Sequence, residues 1–139
     1  MKKYKVGYTT GVFDLFHIGH LNILQRAKEL CEVLVVGITT DELCYARKNK
    51  YPVICLDERV AIVSAIKYVD KVTIQENMDK LAAVKENGAD VVFVGGDWQG
   101  TPQWDEYEEQ FANVGCDVVY LPHTDGTSST ILRDALMKI

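Results

Sequence analysis

The sequence has few cysteines and histidines, the residues that most often mark metal or redox sites. Its 139 residues contain four cysteines, Cys31, Cys44, Cys55 and Cys116, and three histidines. The cysteines show no Cys-x-x-Cys or other ligand spacing, which excludes a zinc knuckle and a redox pair. We therefore expect reduced cysteines that pack as small apolar side chains.

Long apolar runs and an excess of positive charge are also missing. No stretch reaches membrane-spanning length, and no leader with a basic end and an apolar middle precedes the first strand. The formal net charge is −5, whereas a nucleic-acid surface needs a basic face to displace counterions from phosphates. These absences predict a cytoplasmic protein that binds neither membrane nor nucleic acid. A few local donors could still hold a small anion.

The composition that is present is typical of an ordinary globular protein. Hydrophobic residues make up 47% of the chain and charged residues 25%, which argues against disorder. No internal repeat, low-complexity segment or linker divides the sequence. The length predicts one domain over residues 1–139, with a substantial core.

Short apolar runs alternate with helical patterns along the chain. The patterns predict strands over 4–10, 33–38, 69–74, 90–95 and 116–121, and helices over 18–31, 58–67, 79–86, 103–114 and from about residue 130. Asp57 is the candidate N-cap of the second helix. Residues 45–52 are polar and end in proline, which predicts an exposed loop. The alternation predicts an α/β fold with a mostly parallel, five-stranded sheet covered by helices on both faces.

Three segments at the predicted carboxyl ends of strands differ from generic loops. They are residues 11–20, 95–100 and 122–130. In open parallel sheets, ligands bind beyond the carboxyl ends of the strands, where the strand order reverses. The convergence of these segments therefore predicts the functional site.

The first segment holds His17 and His20, two of the three histidines, on either side of a glycine. Gly11 lets the backbone approach a phosphate, and the following helix aims its N-terminal dipole at the same place. Both imidazoles could donate hydrogen bonds to phosphate oxygens, while Asp14 is expected to orient a neighbour or a lysine. The alternative is a capping turn with a half-buried ring. A zinc site would need a third ligand, for which His123 is the only remaining histidine, and the pair lacks the intervening Glu of an HExxH motif. No protein-held metal is therefore expected.

The remaining polar segments each have two interpretations. Arg47, Lys48 and Lys50 form either a solvated loop or a lid that neutralises a triphosphate. Residues 95–98 either frame a nucleoside or make a tight turn with a core tryptophan. The hydroxyls of residues 127–130 cap a helix and favour a second phosphate cradle.

The motif over residues 11–20, together with Arg59, Gly96-Asp97-Trp98 and the segment from His123 to Thr130, resembles the HxGH nucleotidylyltransferases of the cytidylyltransferase type. Within that superfamily, the chain is most similar to the small bacterial glycerol-3-phosphate cytidylyltransferases. The resemblance covers almost the whole chain. It implies a Rossmann-like domain in which a phosphorylated alcohol attacks the α-phosphate of CTP, giving a CDP-alcohol for a cell-surface polymer and pyrophosphate.

The resemblance also implies roles for particular residues. His17 and His20 stabilise the triphosphate in the transition state, helped by Lys48, and Mg²⁺ sits on the triphosphate with few protein ligands. A homodimer is expected from the family. The remaining residues expected to bind substrate are Thr10, Gly11, Phe13, Asp14, Lys50, Arg59, Lys67, Gly96, Asp97, Trp98, His123, Thr124, Gly126, Ser128, Ser129 and Thr130.

Several residues depart from the family pattern. His123 and Lys67 stand where the family has arginines, and Asp125 and Thr127 are further changes. The base and the acceptor therefore stay open. The alternatives are a cytidylyl- or adenylyltransferase for ribitol, ethanolamine or heptose phosphate, and a non-catalytic nucleotide-binding module.

Overall fold

The computed structural model describes residues 2–122 and 128–138. Strands and helices alternate along the chain, as the sequence predicts. The strands are β1 (Tyr4–Gly11), β2 (Cys31–Thr39), β3 (Lys71–Gln75), β4 (Val91–Gly95) and β5 (Asp117–Leu121). The helices are α1 (Ile18–Leu30), α2 (Asp41–Lys48), α3 (Leu56–Ser64), α4 (Lys80–Asn87), α5 (Pro102–Ala112) and α6 (Ser129–Met137).

The five strands form one sheet in the order β3-β2-β1-β4-β5. Every pairing is parallel, and the central strand β1 pairs with β2 on one side and with β4 on the other. The order therefore reverses between β1 and β4, because the chain builds outward through β2 and β3 before it returns. Such a reversal opens a crevice at the carboxyl ends of the two central strands.

Apolar side chains fill both faces of the sheet. One cluster includes Leu24 and Ala27 of α1, Val63 of α3 and Phe93 of β4. The opposite cluster includes Phe111 of α5, together with residues of α4. Burying one such large side chain contributes roughly 1.5–3 kcal/mol, so each helix layer is held by its apolar face. The predicted sheet with helices on both faces is confirmed.

The segment before residue 49 is helical, although the sequence predicts a loop from residue 45. Thr40 caps α2 by accepting a hydrogen bond from the Leu43 amide at 3.1 Å. Cations in the last turn complement the helix dipole, and Asn49 ends the helix in a left-handed conformation with φ 57°. Only Cys44 of this helix is buried. The segment therefore lacks the amphipathic pattern by which a helix is recognised in a sequence.

Two other boundaries also differ from expectation. Helix α3 begins at Leu56 after Cys55, so Asp57 lies in its first turn and is not its cap. Strand β3 begins at Lys71, later than expected, because a turn of residues 66–70 intervenes. The longest helix has 13 residues. Across residues 2–122 and 128–138, no helix combines the length and apolarity that crossing a bilayer requires.

Candidate active site

A cavity of about 270 Å³ opens at the carboxyl ends of β1 and β4, where the strand order reverses. We call it the His20 cavity. Many of the residues predicted from the sequence line it: Thr10, Gly11, Phe13, Asp14, His20, Lys48, Lys50, Trp98, Ser129 and Thr130. Segments far apart in the sequence therefore meet at one edge of the sheet.

The loop after β1 adopts an unusual backbone conformation. Phe13 and Leu15 have φ angles of 55° and 51°, in the left-handed region that non-glycine residues rarely occupy. A Cβ at Gly11 would lie 2.9 Å from the Phe13 ring, so only glycine allows this close approach. Strained backbone of this kind costs about 1–3 kcal/mol per residue and persists where the surrounding contacts enforce it. The loop is thereby fixed against the amino end of α1.

Asp14 holds this loop to two other parts of the chain. Its carboxylate accepts hydrogen bonds from the amides of Val53 (2.8 Å) and Ile54 (2.9 Å). Its backbone carbonyl accepts a hydrogen bond from the Ser129 hydroxyl at 2.6 Å. The sequence predicts that Asp14 orients a neighbour, and the structure places the backbone of residues 53–54 in that position. Asp14 thus ties together the loop, the segment after α2 and the start of α6.

His17 and His20 cap α1 reciprocally. His17 Nδ1 accepts from the Gly19 amide at 3.0 Å, and His20 Nδ1 accepts from the His17 amide at 3.2 Å. Because each Nδ1 is an acceptor, the proton of each neutral ring lies on Nε2. The ring centroids are 4.0 Å apart. Both histidines therefore use one nitrogen for the helix and keep the other as a donor.

Burial keeps both rings neutral. It lowers the pKa of His17, and it lowers the pKa of His20 to about 4, with a further contribution from His17 that Asp14 partly opposes. His20 lines the His20 cavity. His17 lies beside that cavity, with Nε2 3.4 Å from the Ser129 hydroxyl. Since that hydroxyl donates to the Asp14 carbonyl, it can accept a hydrogen bond from the His17 Nε2–H group. At pH 7 the pair therefore offers N–H donors without adding positive charge.

The lysines predicted as loop cations follow from the end of α2. Lys48 is the last residue of the helix and Lys50 lies two residues beyond it, and both line the His20 cavity. The rings of Tyr45 and Tyr51 stack at 4.5 Å across the same stretch. Lys48 is thus positioned by the last turn of α2, and Lys50 by the turn that the stacked tyrosine rings hold.

Two cations near the site were missed in the sequence. Arg133 of α6 lines the His20 cavity, and its Nη1 lies 3.9 Å from Asp14 Oδ2. Its position four residues after Ser129 on a helix could have revealed that both share one face. The Lys80 side chain is only 8% exposed, and its ammonium donates to Thr10 Oγ1 at 2.8 Å. Nothing in the local pattern indicated Lys80, because it begins a helix outside the three predicted segments.

Arg59 and Lys67, both predicted to bind substrate, lie away from the cavity. Arg59 is 1% exposed, and its guanidinium forms an ion pair with Asp41 and donates to the carbonyls of residues 12, 39 and 54. From within the core, Arg59 therefore joins the loop after β1, the end of β2 and the segment before α3. Lys67 is exposed after α3, with its Nζ 5.2 Å from the Tyr68 ring. It precedes β3 and thus lies at the opposite, amino edge of the sheet.

Gly96, Asp97 and Trp98 form a short 3-10 turn directly after β4. Trp98 is 44% exposed and lines the His20 cavity, so the interpretation as a core tryptophan is wrong. The buried tryptophan is Trp104 of α5, at 6% exposure. Of the three turn residues, Trp98 is the one that reaches the cavity.

The last predicted segment is described in part. Ser128 caps α6 by accepting a hydrogen bond from the Ile131 amide at 3.1 Å, as expected for the helix start. The predictions for His123, Thr124 and Gly126, and the departures at residues 125 and 127, lie outside the described residues.

The chain is similar over most of its length to known proteins. Residues 8–135 match the family model described as Cytidylyltransferase-like. A glycerol-3-phosphate cytidylyltransferase of Bacillus subtilis is 38% identical over 129 residues, which is 92% of this chain and 94% of that protein. An FAD synthase of Thermococcus sibiricus is 34% identical over 124 residues, covering 88% and 84%. The crystal structure of a lipopolysaccharide core biosynthesis protein from Thermoplasma volcanium is similar with a TM-score of 0.71 and 29% identity, covering 89% of this chain and 99% of that one.

Proposed function

This chain belongs to the cytidylyltransferase-like family of nucleotidyltransferases, and we propose that it transfers a cytidylyl group from CTP to a small phosphorylated alcohol. Glycerol 3-phosphate is the first candidate, with CDP-glycerol and pyrophosphate as the products. The observation that carries the proposal is the pair of neutral Nε2–H donors at the mouth of α1, beside the cavity that Lys48, Lys50 and Arg133 line. Donors and cations together suit a triphosphate.

The proposed reaction needs no covalent enzyme intermediate. A phosphate oxygen of the acceptor attacks the α-phosphorus of CTP, and the bond to the departing pyrophosphate breaks as the new P–O bond forms. His17 and His20 donate hydrogen bonds to phosphate oxygens as negative charge shifts onto them. Lys48, Lys50 and Arg133 bind the anionic phosphates and hold the reacting groups in line.

Mg²⁺ is expected to accompany the nucleotide. Within residues 2–122 and 128–138, no three His, Cys, Asp or Glu side chains come together as a ligand set. Asp14 lines the cavity, but both its oxygens already accept backbone amides. These residues fit an ion held mainly by phosphates and water, which is how Mg²⁺ usually binds. Bound in this way, the ion would neutralise part of the triphosphate charge.

Two further parts of the proposal come from relatives. The similarity to an FAD synthase favours an adenylyltransferase as the second candidate, with ATP as the donor. A homodimer, and a product used for a surface polymer, follow from the resemblance to the glycerol-3-phosphate enzymes. The base and the acceptor are therefore what a first experiment should determine.

The test is a matrix of substrates scored by pyrophosphate release. The protein is incubated with Mg²⁺, each of the four NTPs and a set of phospho-alcohols. We expect release only with CTP and a phospho-alcohol together. Release that requires a phospho-alcohol and occurs with ATP but with no other NTP would replace the proposal with the adenylyltransferase. CTP binding without any release would leave a non-catalytic nucleotide-binding module.

A substitution at His17 separates its two roles. Asparagine is a good N-cap residue but lacks the Nε2–H donor. We expect His17→Asn to lower kcat by at least ~100-fold, the effect of removing one transition-state donor, without changing the melting temperature. His17→Ala should lose as much activity and also ~1 kcal/mol of stability, because the cap is lost as well. Wild-type kcat in His17→Asn would contradict the proposed role.

A further inference from the structure

The imidazole of His20 packs against three other rings. Its centre lies 4.0 Å from that of His17, 5.2 Å from that of Phe16 and 5.4 Å from that of Phe13. Phe13 and Phe16 also stack on each other, with their centres 6.4 Å apart and an angle of 28° between their planes. Such separations are typical of aromatic pairs that contribute more than the area they bury. The four rings therefore form one aromatic cluster at the mouth of α1.

Phe16 differs from the other two neighbours of His20, because it lies outside the site. Phe13 lines the His20 cavity, whereas Phe16 does not, and His17 is itself a proposed donor to phosphate. Phe16 is half-buried and packs against the core cluster that α1 and α3 help to build. A substitution at Phe16 therefore reaches a ligand in the cavity through the loop and the His20 ring, and not by direct contact.

The aromatic cluster fixes the orientation of the His20 ring. The torsion that turns a histidine ring about its bond to Cβ is broad and roughly two-fold, so it needs support from outside. The hydrogen bond from the His17 amide to Nδ1 decides which nitrogen faces the helix, and the flanking rings decide the plane in which Nε2 points outward. Because a hydrogen bond weakens steeply as it bends, the strength of the Nε2–H donor depends on these rings.

The same cluster keeps water from the His20 ring. Burial is the main cause that lowers the pKa of His20 to about 4; the charge of His17 lowers it further and Asp14 opposes both. A second proton would have to sit on Nδ1, where it would displace the His17 amide. The ionisable groups beside the ring or along the His20 cavity are Asp14, His17, Cys44, Lys48, Lys50 and Arg133. A substitution at Phe16 removes none of them.

We propose, on the basis of the proposed function, that Phe16 is a positioning residue, whose ring, together with that of Phe13, holds the His20 imidazole so that Nε2–H points at the triphosphate and the ring stays dry. Phe16 touches no reacting atom. It acts through His20, whose hydrogen bond strengthens as charge builds on the phosphate oxygens. Loss of the Phe16 ring therefore slows the chemical step and leaves nucleotide binding nearly intact.

Two substitutions separate the orientation of the His20 ring from its dryness. Phe16→Leu keeps an apolar side chain but removes the flat ring. We expect it to lower kcat by ~10- to 100-fold, the scale of a catalytic group displaced by about 1 Å, and to change KM by less than ~3-fold. Phe16→Ala also admits water, so the pKa of His20 should rise from about 4 by at least ~1 unit toward its ordinary value. The lower pH limit of kcat should rise with it.

NMR spectra of the protein without substrate measure both properties of the ring. Titration of the histidine ring protons from about pH 4.5 to 8 gives the pKa of His20, and nuclear Overhauser contacts between the rings of His20 and Phe13 report the orientation. We expect these contacts to weaken in Phe16→Leu. Phe111→Leu is the matched control, because Phe111 is a fully buried phenylalanine in the cluster on the opposite face of the sheet. It should leave kcat, the pKa of His20 and the ring contacts unchanged.

The outcomes separate this proposal from the proposed function. Wild-type kcat in Phe16→Leu would mean that the ring does not position His20, and an equal loss of kcat in Phe111→Leu would mean that the fold as a whole has loosened. Either result overturns the proposal. No turnover by the wild type would contradict the proposed function alone, and the NMR measurements would then decide. Ring contacts that stay as in the wild type in Phe16→Leu, or a pKa of His20 that stays or falls in Phe16→Ala, would overturn the role of Phe16.

Discussion

His17 and Lys80 serve the fold in opposite ways. His17 Nδ1 caps α1 while its Nε2 faces the Ser129 hydroxyl, so one ring stabilises the helix and supplies a donor. From the sequence, a cap and a phosphate ligand were alternatives, yet the two nitrogens allow both. Lys80 instead places an ammonium in a buried position without a counter-ion among the described residues, which costs stability in the unliganded protein.

Lys80→Met should therefore stabilise the free protein. Burial and the charge of Arg47 lower the pKa of Lys80 from 10.5 to about 8. At pH 7 the ammonium is charged in both the folded and the unfolded states, and the folded state bears the penalty. We expect Lys80→Met to raise the free energy of unfolding at pH 7 by about 1–3 kcal/mol. This is less than the ~3.5 kcal/mol that the lowered pKa implies at ~1.4 kcal/mol per pKa unit, because the variant also loses the hydrogen bond to Thr10.

The pH dependence has a definite sign. Between pH 8 and 10.5 the unfolded chain binds the proton of Lys80 more strongly than the folded chain does. The free energy of unfolding of the wild type therefore rises with pH relative to that of the variant. Urea unfolding from pH 7 to 10 should show the difference shrinking. Lys85→Met, at an exposed lysine of the same helix, should stay within ~0.5 kcal/mol of wild type, as exposed substitutions do. A Lys80→Met protein less stable than wild type at pH 7 would show that the packing of the lysine stem dominates.

At the scale of elements, periodic burial decides what a sequence reveals. The pattern of α1 predicts its position within a residue, because Leu24 and Ala27 face the core at helical spacing. The sequence pattern does not predict helix α2, because this helix buries only Cys44. The left-handed conformations of Phe13 and Leu15 depend on tertiary contacts that no local pattern encodes. The same holds for Arg59, whose position in a helix gives no sign that its guanidinium donates to the carbonyls of residues 12, 39 and 54.

Asp14 should control the position of the lysine-bearing segment. In Asp14→Asn, one acceptor oxygen becomes an N–H donor, so the amide of Val53 or Ile54 loses its partner. We expect a loss of ~1–3 kcal/mol in the free energy of unfolding, the usual cost of an unsatisfied buried group. Because Lys50 precedes this anchor by three residues, the KM for the nucleotide should also rise.

The matched control for Asp14→Asn is Asp57→Asn, because Asp57 is an exposed residue in the first turn of α3. It should change unfolding and KM little. If Asp14→Asn loses stability but keeps its KM, the stacked rings of Tyr45 and Tyr51, and not Asp14, position the lysines.

At the scale of the molecule, a chain of net charge −5 gathers its functional cations at one edge of the sheet. Arg47, Lys48, Lys50, Lys80 and Arg133 line the His20 cavity or the cavity of about 330 Å³ that adjoins it, although they come from three different helices and a loop. Clefts with one sign of charge concentrate oppositely charged ligands. The parallel sheet brings these residues together, and this is why the alternation of strands and helices was enough to predict where the site lies but not all of its members.

This arrangement predicts that the nucleotide stabilises the whole fold. A ligand at 100 times its Kd adds ~2.7 kcal/mol, which for a domain of this size raises Tm by roughly 5–15 °C. We expect CTP with Mg²⁺ to raise Tm more than ATP with Mg²⁺ does. His17→Asn should keep the shift, because its donor acts mainly in the transition state, whereas Arg133→Met should reduce it. Raising NaCl from about 0.05 to 0.5 M should weaken the shift by screening. Scanning calorimetry measures each case, and no shift with any NTP would contradict a nucleotide site at this edge of the sheet.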